Sequence, residues 1–276
     1  MKTILVVANE TLGGAKLFDT VRDKAQGGDA RVVVCVPRNR PKHGNIIYDD
    51  FVFDAAKVRI DLARRFLRSE GIQAIGEVGD PDPYSATMDA VLEHHPDEII
   101  ISTYPATSSG WLRRDLVERI EDAVDVPVSH VVVDVDAEGL PFDVTLVAAN
   151  RTASADTLLE TLKGKASGER QRLFIIVVPQ EGGEGSAAAR ARARMAQVVD
   201  RAVAEGLLAA GMVGDPDPYT AIMNALQHFR VDDIVISTLP ATRSGWLRAD
   251  LIERVRKQTN KPIEHVEAQE RRPAAA

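Results

Sequence analysis

Short apolar runs punctuate the chain at residues 3–8, 31–37, 72–78, 98–102 and 127–134. Between them lie stretches with apolar positions at helical spacing, near 14–26, 54–69, 83–94 and 111–124. The runs are continuously apolar rather than alternating, the pattern of strands covered on both faces. Strands that alternate with helices predict a parallel sheet with crossover helices. Right-handed crossovers make a doubly wound, five-stranded sheet the natural arrangement. The helix starts carry their own signals. In Asp82-Pro83-Tyr84 the aspartate is placed to cap exposed backbone N–H groups, and proline takes the first helical position, where a missing donor costs nothing. Tyr84, Met88, Val91 and Leu92 then form one apolar stripe, and Leu112, Leu116, Ile120 and Val124 recur every four residues in the next helix.

The same pattern comes twice. Gly79-Asp80-Pro81-Asp82-Pro83-Tyr84 returns as Gly214-Asp215-Pro216-Asp217-Pro218-Tyr219, and the segment from Ile101 to Arg113 returns from Ile236 to Arg248 at the same offset. Leu5-Val6-Val7-Ala8-Asn9 is answered by Leu146-Val147-Ala148-Ala149-Asn150 at a slightly different one. One α/β unit has been duplicated. The expected domains are residues 1–136 and 142–270, joined by a short linker. The last strand of each, Val126 to Val133 and the run around Ile263, would otherwise be a bare sheet edge. They are therefore expected to build a pseudo-twofold interface, making the chain an internal pseudo-dimer; association of two chains is left open.

Composition narrows the function classes. At 276 residues, each half can bury its own core without staples. A net charge of -7 disfavours nucleic acid and anionic lipid as partners. The opening apolar stretch stops at Asn9-Glu10, too short for a secretory signal, and no run approaches the length of a membrane helix; a cytoplasmic protein is expected. The single cysteine, Cys35, lies inside Val32-Val33-Val34-Cys35-Val36 and reads as a buried strand residue.

In open parallel sheets ligands bind beyond the carboxyl ends of the strands, where the strand order reverses. Candidate ligand-binding residues there are Asn9, Gly79, Ser102, Thr103, Thr107, Ser109 and Arg113 in the first unit. Their counterparts in the second are Asn150, Gly214, Ser237, Thr238, Thr242, Ser244 and Arg248. The loop after the fourth strand is rich in hydroxyls and precedes a helix, a combination suited to phosphate or carboxylate. The same residues also serve as caps and turns, since Thr107 or Ser109 could cap the helix and Asn9 or Asn150 could close an Asx turn. Gly79 and Gly214 are read first as turn or close-approach residues. His130 and His265 hold equivalent strand positions without further ligands at metal spacing, so no metal is expected. There is no nucleophile elbow and no phosphate loop with its lysine, so an enzyme is disfavoured; its only obvious acids or bases are Glu10, Asp80 and Asp215.

Taken together, the opening Ile-Leu-Val-Val strand, the Gly-Asp-Pro after the third strand, the Ile-Ile-Ile-Ser fourth strand with its loop and the closing Val-Pro-Val strand resemble the universal stress protein family in a tandem form. The resemblance implies an adenine nucleotide α-hydrolase-like fold, a role in stress response and a crevice for a nucleotide or other small anion. It also implies a protein partner that passes the response on. The family's ATP-binding branch carries a glycine-rich motif after strand four. Starting that motif at Ser102 puts Pro105 on its second glycine and Asp115-Leu116 on its final pair; Ser237, Pro240 and Asp250-Leu251 depart from it in the same way. Asn9 and Asn150 stand where the family has aspartate. The expected cofactor is therefore an unknown anion rather than ATP held in the usual manner, and the alternative is a ligand-free interaction module.

Overall fold

The computed structural model describes residues 1–26, 29–38, 49–105, 115–153, 155–180, 186–240 and 242–267, with the side chains of all of these but 49, 50 and 248. In the first unit, strands β1 (Lys2–Val7), β2 (Ala30–Pro37), β3 (Gln73–Gly79), β4 (Glu98–Thr103) and β5 (Val128–Val132) form an all-parallel sheet in the order β3-β2-β1-β4-β5. Helices α1 (Ala15–Ala25), α2 (Asp49–Ser69), α3 (Pro83–His94) and α4 (Leu116–Glu121) alternate with them. A single turn, α5 (Val135–Glu138), occupies the linker, where the Asp134 carboxylate accepts from the Ala137 N–H at 3.1 Å. The second unit begins at Phe142. Its strands are β6 (Asp143–Ala148), β7 (Arg172–Pro179), β8 (Leu208–Gly214), β9 (Asp233–Thr238) and β10 (Ile263–Glu267), in the order β8-β7-β6-β9-β10. Its helices are α6 (Asp156–Ala166), α7 (Ala187–Ala204), α8 (Pro218–His228), α9 (Gly245–Arg248) and α10 (Leu251–Gln258). The doubly wound sheet is present twice with one strand order.

The expected elements differ from the observed ones mainly at helix ends. Helix α2 starts at Asp49 rather than near 54, because Val52, 6% exposed, already faces the core. The fourth helix is described only over α4, and the residues before 115 lie outside the described set. The short linker contains α5.

Continuous burial explains the continuous apolar runs. Ile4, Leu5 and Val7 on β1, Val32, Val33 and Val36 on β2, and Ile99 to Ile101 on β4 have no exposed surface. Leu5, Val7, Val33, Cys35, Ile99 and Ile101 pack against Ala86 and Ala90 of α3 and Leu116 and Ile120 of α4. Each buried Leu or Ile of this kind contributes about 1.5–3 kcal/mol. The Cys35 thiol sits in this layer 3.6 Å from the Ala86 carbonyl, and burial, reinforced by Glu77 and Asp89, pushes it up to about 12. Outside the core, Arg119 stacks on the Tyr84 ring at 4.1 Å and Arg254 on the Tyr219 ring at 4.2 Å, the same contact made once per unit.

At the amino ends of the strands each unit is closed by a charged clasp. Glu98 opens β4, is buried, and accepts from Lys2 Nζ at 2.8 Å and from Lys24 at the end of α1. In the second unit Asp233 takes this place and binds Lys165 Nζ at 2.7 Å and Arg172 Nη1 at 3.2 Å. Asp97 and Asp232, one residue earlier, accept the first strand's N–H groups of Thr3 and Val144 at 2.7 and 2.8 Å. Burial alone would raise the Glu98 pKa, but the hydrogen bonds from Lys2 and Lys24 outweigh it and hold the carboxyl below its ordinary value.

At the carboxyl ends, Gly79 and Gly214 are required by close packing and not by positive φ. A Cβ on Gly79 would lie 2.6 Å from Ala86 Cβ and 3.0 Å from Cys35 Sγ; one on Gly214 would lie 2.7 Å from Ala221 Cβ and 2.8 Å from Val177 Cγ1. The strand end and the following helix therefore touch through backbone. Asp82 and Asp217 cap α3 and α8 as their sequence predicts, accepting from Ser85 N at 3.0 Å and Thr220 N at 3.1 Å. Asp115 and Asp250, which precede α4 and α10, both adopt the left-handed region at φ 49°.

Two outcomes are expected. Gly79→Ala and Gly214→Ala each lower stability by about 1–3 kcal/mol in urea melts, since the added methyl overpacks a strand–helix contact. Glu98→Gln lowers stability by about 2 kcal/mol at pH 7, because a buried, lysine-paired charge is lost. The folded pKa of Glu98 is depressed, so its contribution is complete above the unfolded value of roughly 4.3 and disappears as pH falls through the folded value. The variant's stability accordingly falls less steeply than wild type below about pH 4.3.

Candidate functional site

Strand order reverses between β1 and β4 in the first unit and between β6 and β9 in the second, the points beyond which open parallel sheets bind their ligands. In the first unit the β1 loop is stitched to both neighbours. Asn9 Nδ2 donates to the Pro37 carbonyl at the end of β2 at 2.7 Å, and Thr11 Oγ1 donates to the Ser102 carbonyl on β4 at 3.2 Å. The Leu12 N–H returns to the Asn9 carbonyl at 3.1 Å, closing the turn through the main chain. The second unit repeats the bridge, with Thr152 Oγ1 donating to the Ser237 carbonyl at 3.1 Å. Thr11 and Thr152 are 3% and 1% exposed. Each spans the reversal point that a ligand would approach.

The two copies differ in what surrounds this bridge. Ser237 Oγ donates to Thr152 Oγ1 at 2.8 Å, so the hydroxyl is satisfied within the protein. Its counterpart Ser102 Oγ is buried, and among the described residues it has no hydrogen-bond partner. Ile99 and Ile101 face α3 and α4, so alternation along the strand turns Ser102 toward the opposite face, the side of α1 and α2. An unmade bond of this kind costs about 1–3 kcal/mol unless something supplies it.

An arginine enters each site from the long helix. Arg194 of α7 donates from Nη1 to Asn150 Oδ1 at 2.6 Å. At the matching position of α2, 135 residues earlier, Arg59 interacts with Glu10 and Tyr104. Burial weighs against the Arg59 charge and lowers its pKa, while Glu10 and Tyr104 oppose the shift. The Tyr104 hydroxyl is pushed up to about 12 by burial and by Glu10 and Asp136, against the pull of Arg59. At neutral pH the site therefore holds a neutral phenol beside a guanidinium. Glu10 is replaced by Arg151 in the second unit and Tyr104 by Leu239, which is 6% exposed.

The remaining candidates separate into groups. Thr103 and Thr238 turn toward the last strand of their sheet, each with Oγ1 2.8 Å from the Nε2 of His130 or His265. This accounts for both histidines as satisfied strand residues. Partial desolvation lowers the His130 pKa, opposed by Glu121 and reinforced by Lys16. Ser244 caps α9, accepting from Leu247 N at 3.2 Å, while Thr242 beside it is exposed. Arg248 ends α9. Gly79 and Gly214 line strand–helix contacts, as described above. Asp80 and Asp215 fold back to accept from the N–H groups of Asp82 and Asp217, each at 2.8 Å, so both carboxylates are engaged in turns. Thr107, Ser109 and Arg113 lie outside the described residues. Sequence reasoning missed Arg59, Arg194 and the bridging threonines. Aligning the halves would have found the arginines, since Ala56-Lys57-Val58-Arg59-Ile60 matches Ala191-Arg192-Ala193-Arg194-Met195 at the repeat offset.

No protein-family model matches the chain, and no curated protein matches it. Among solved structures it is similar to a universal stress protein from Archaeoglobus fulgidus DSM 4304, with 18% identity over 96% of each chain and a TM-score of 0.37. It is also similar to a protein assigned as a universal stress protein from Pseudomonas aeruginosa UCBPP-PA14, with 13% identity over 97% of this chain and 94% of that one and a TM-score of 0.35. A functionally unknown protein from Pseudomonas aeruginosa PAO1 shows 16% identity over 97% and 93%, with a TM-score of 0.32. The chain is thus similar to solved universal stress proteins over nearly all of its length.

Proposed function

We propose that this chain is a universal stress protein-like regulatory protein whose first unit holds a small anionic or nucleotide-like ligand, and whose second unit is a filled copy that no longer needs one. The observation that carries the reading is the Ser102 hydroxyl, buried without a partner among the described residues at the reversal point, where Ser237 in the other copy is paired. Arg59 supplies a cation and Tyr104 a neutral donor on the same crevice. The ligand is not ATP in the standard manner, because Pro105 and Asp115 stand where backbone N–H groups would have to reach the phosphates and a carboxylate there repels them. A regulatory role in the cytoplasm, with the response handed to a protein partner, follows from the resemblance. Catalysis does not form part of the proposal: Asp80 and Asp215 are committed to turns, and Glu10 interacts with Arg59.

A second reading, a ligand-free interaction protein, is favoured by the second unit alone. There Ser237 bonds Thr152, Arg194 bonds Asn150, and Leu239 is buried.

The test is a thermal-shift titration of the whole chain with AMP, cyclic nucleotides, ATP, phosphate and coenzyme-type anions, each with and without magnesium. One of these is expected to raise the melting temperature saturably, with affinity falling at least about tenfold in Arg59→Ala and unchanged in Arg194→Ala. No shift with any of them turns the case to the interaction reading. A companion measurement needs no ligand. Ser102→Ala is expected to be neutral or stabilising in urea melts, since it removes an orphan hydroxyl, whereas Ser237→Ala costs about 1 kcal/mol. Equal losses at both positions would mean that Ser102 is satisfied within the folded chain.

A further inference from the structure

On the outer strand of the first sheet, Glu77 of β3 meets the end of α3. The His94 Nε2 lies 3.0 Å from Glu77 Oε2, and one ligand atom from each of Glu77, Glu93 and His94 lies within 4.8 Å of the other two. The His94 and Glu77 side chains are 13% and 28% exposed, while Glu93 is exposed. The corresponding residues of the second unit are Met212, His228 and Phe229. Glu77 and His94 thus stand where the duplicate puts methionine and phenylalanine, and Met212 there is fully buried. A carboxylate and an imidazole at a position that the fold fills with apolar side chains forgo hydrophobic burial, a cost that binding an ion would offset.

From this geometry we infer that Glu77, Glu93 and His94 form a site for a divalent transition-metal ion, zinc in the first instance. Two carboxylates and one imidazole make a borderline donor set that suits zinc and leaves a fourth position for water. Donors about 2.0–2.1 Å from a tetrahedral ion stand roughly 3.3 Å apart. The Glu77–His94 pair is already near that spacing, and the exposed Glu93 closes the remainder by a rotamer change. The surroundings favour a cation as well. His94 lies in the last turn of α3, whose terminal carbonyls carry the negative end of the helix dipole. Asp89, one turn earlier on α3, adds its charge together with Glu77 to the field felt by the neighbouring Cys35. The site lies on α3 and the outer strand, apart from the crevice beyond β1 and β4, so it stands or falls independently of ligand binding there.

Isothermal titration of zinc into the full chain, with a parallel thermal melt, tests it. One zinc per chain and a saturable rise of a few degrees in melting temperature are expected. Glu93→Gln, an exposed substitution that leaves the fold intact, weakens binding at least about tenfold. The pair Glu77→Met with His94→Phe, which installs the side chains of the second unit, keeps the melting temperature of the metal-free protein and removes the zinc response. Absence of saturable zinc binding, or full binding in the paired variant, overturns the site.

Discussion

A parallel sheet covered on both faces leaves its strands no room for polar side chains except at their ends and along its outer strands, and the chemistry of this molecule is placed accordingly. At the amino ends the polar positions are used for closure. Glu98 and Asp233 take lysines from the preceding helix layer, and Asp97 and Asp232 hold the first N–H groups of β1 and β6. At the carboxyl ends they are hydroxyls and amides, which bridge loops across the reversal point. The interior between is largely apolar, and burial keeps even the one cysteine there as a neutral thiol.

Duplication makes the first unit its own control. Features found in both copies, such as the threonine bridge, the glycine contacts, the charged clasp and the left-handed aspartates, belong to the frame. Features found in one copy report what that copy has taken on or given up. The threonine bridge recurs at both reversal points, yet Ser237 Oγ is bonded while Ser102 Oγ has no partner among the described residues, and Arg194 is engaged by Asn150 where Arg59 interacts with Glu10 and Tyr104. The difference between filled and unfilled polar atoms, rather than any motif, distinguishes the two copies.

Most of the frame was legible in the sequence because it is written in local signals. Continuous apolar runs marked the strands, and Asp-Pro pairs marked the caps of α3 and α8. The glycines that end β3 and β8 were legible as turn or close-approach residues, and the fold shows that Ala86 and Ala221 are what they approach. The site was less legible, because its contacts join residues 50 or 90 positions apart and depend on which side of a strand or helix each faces. In sequence Arg59 is one charge among several on a helix, and nothing local marks Thr11 as a bridge to β4. Glu98 resembled an ordinary polar start to a strand, with nothing local to show that two lysines would converge on it.

The outer strands carry a consequence of another kind. Strand β3 reads Gln-Ala-Ile-Gly-Glu-Val-Gly, and its inward glutamate is the sort of charge that discourages a foreign strand from adding to an open edge. Strand β8 holds the same place in the second sheet and reads Leu-Ala-Ala-Gly-Met-Val-Gly, with no charge in seven residues. Whatever Glu77 does for the first unit, the second has no counterpart to that charge on its outer strand.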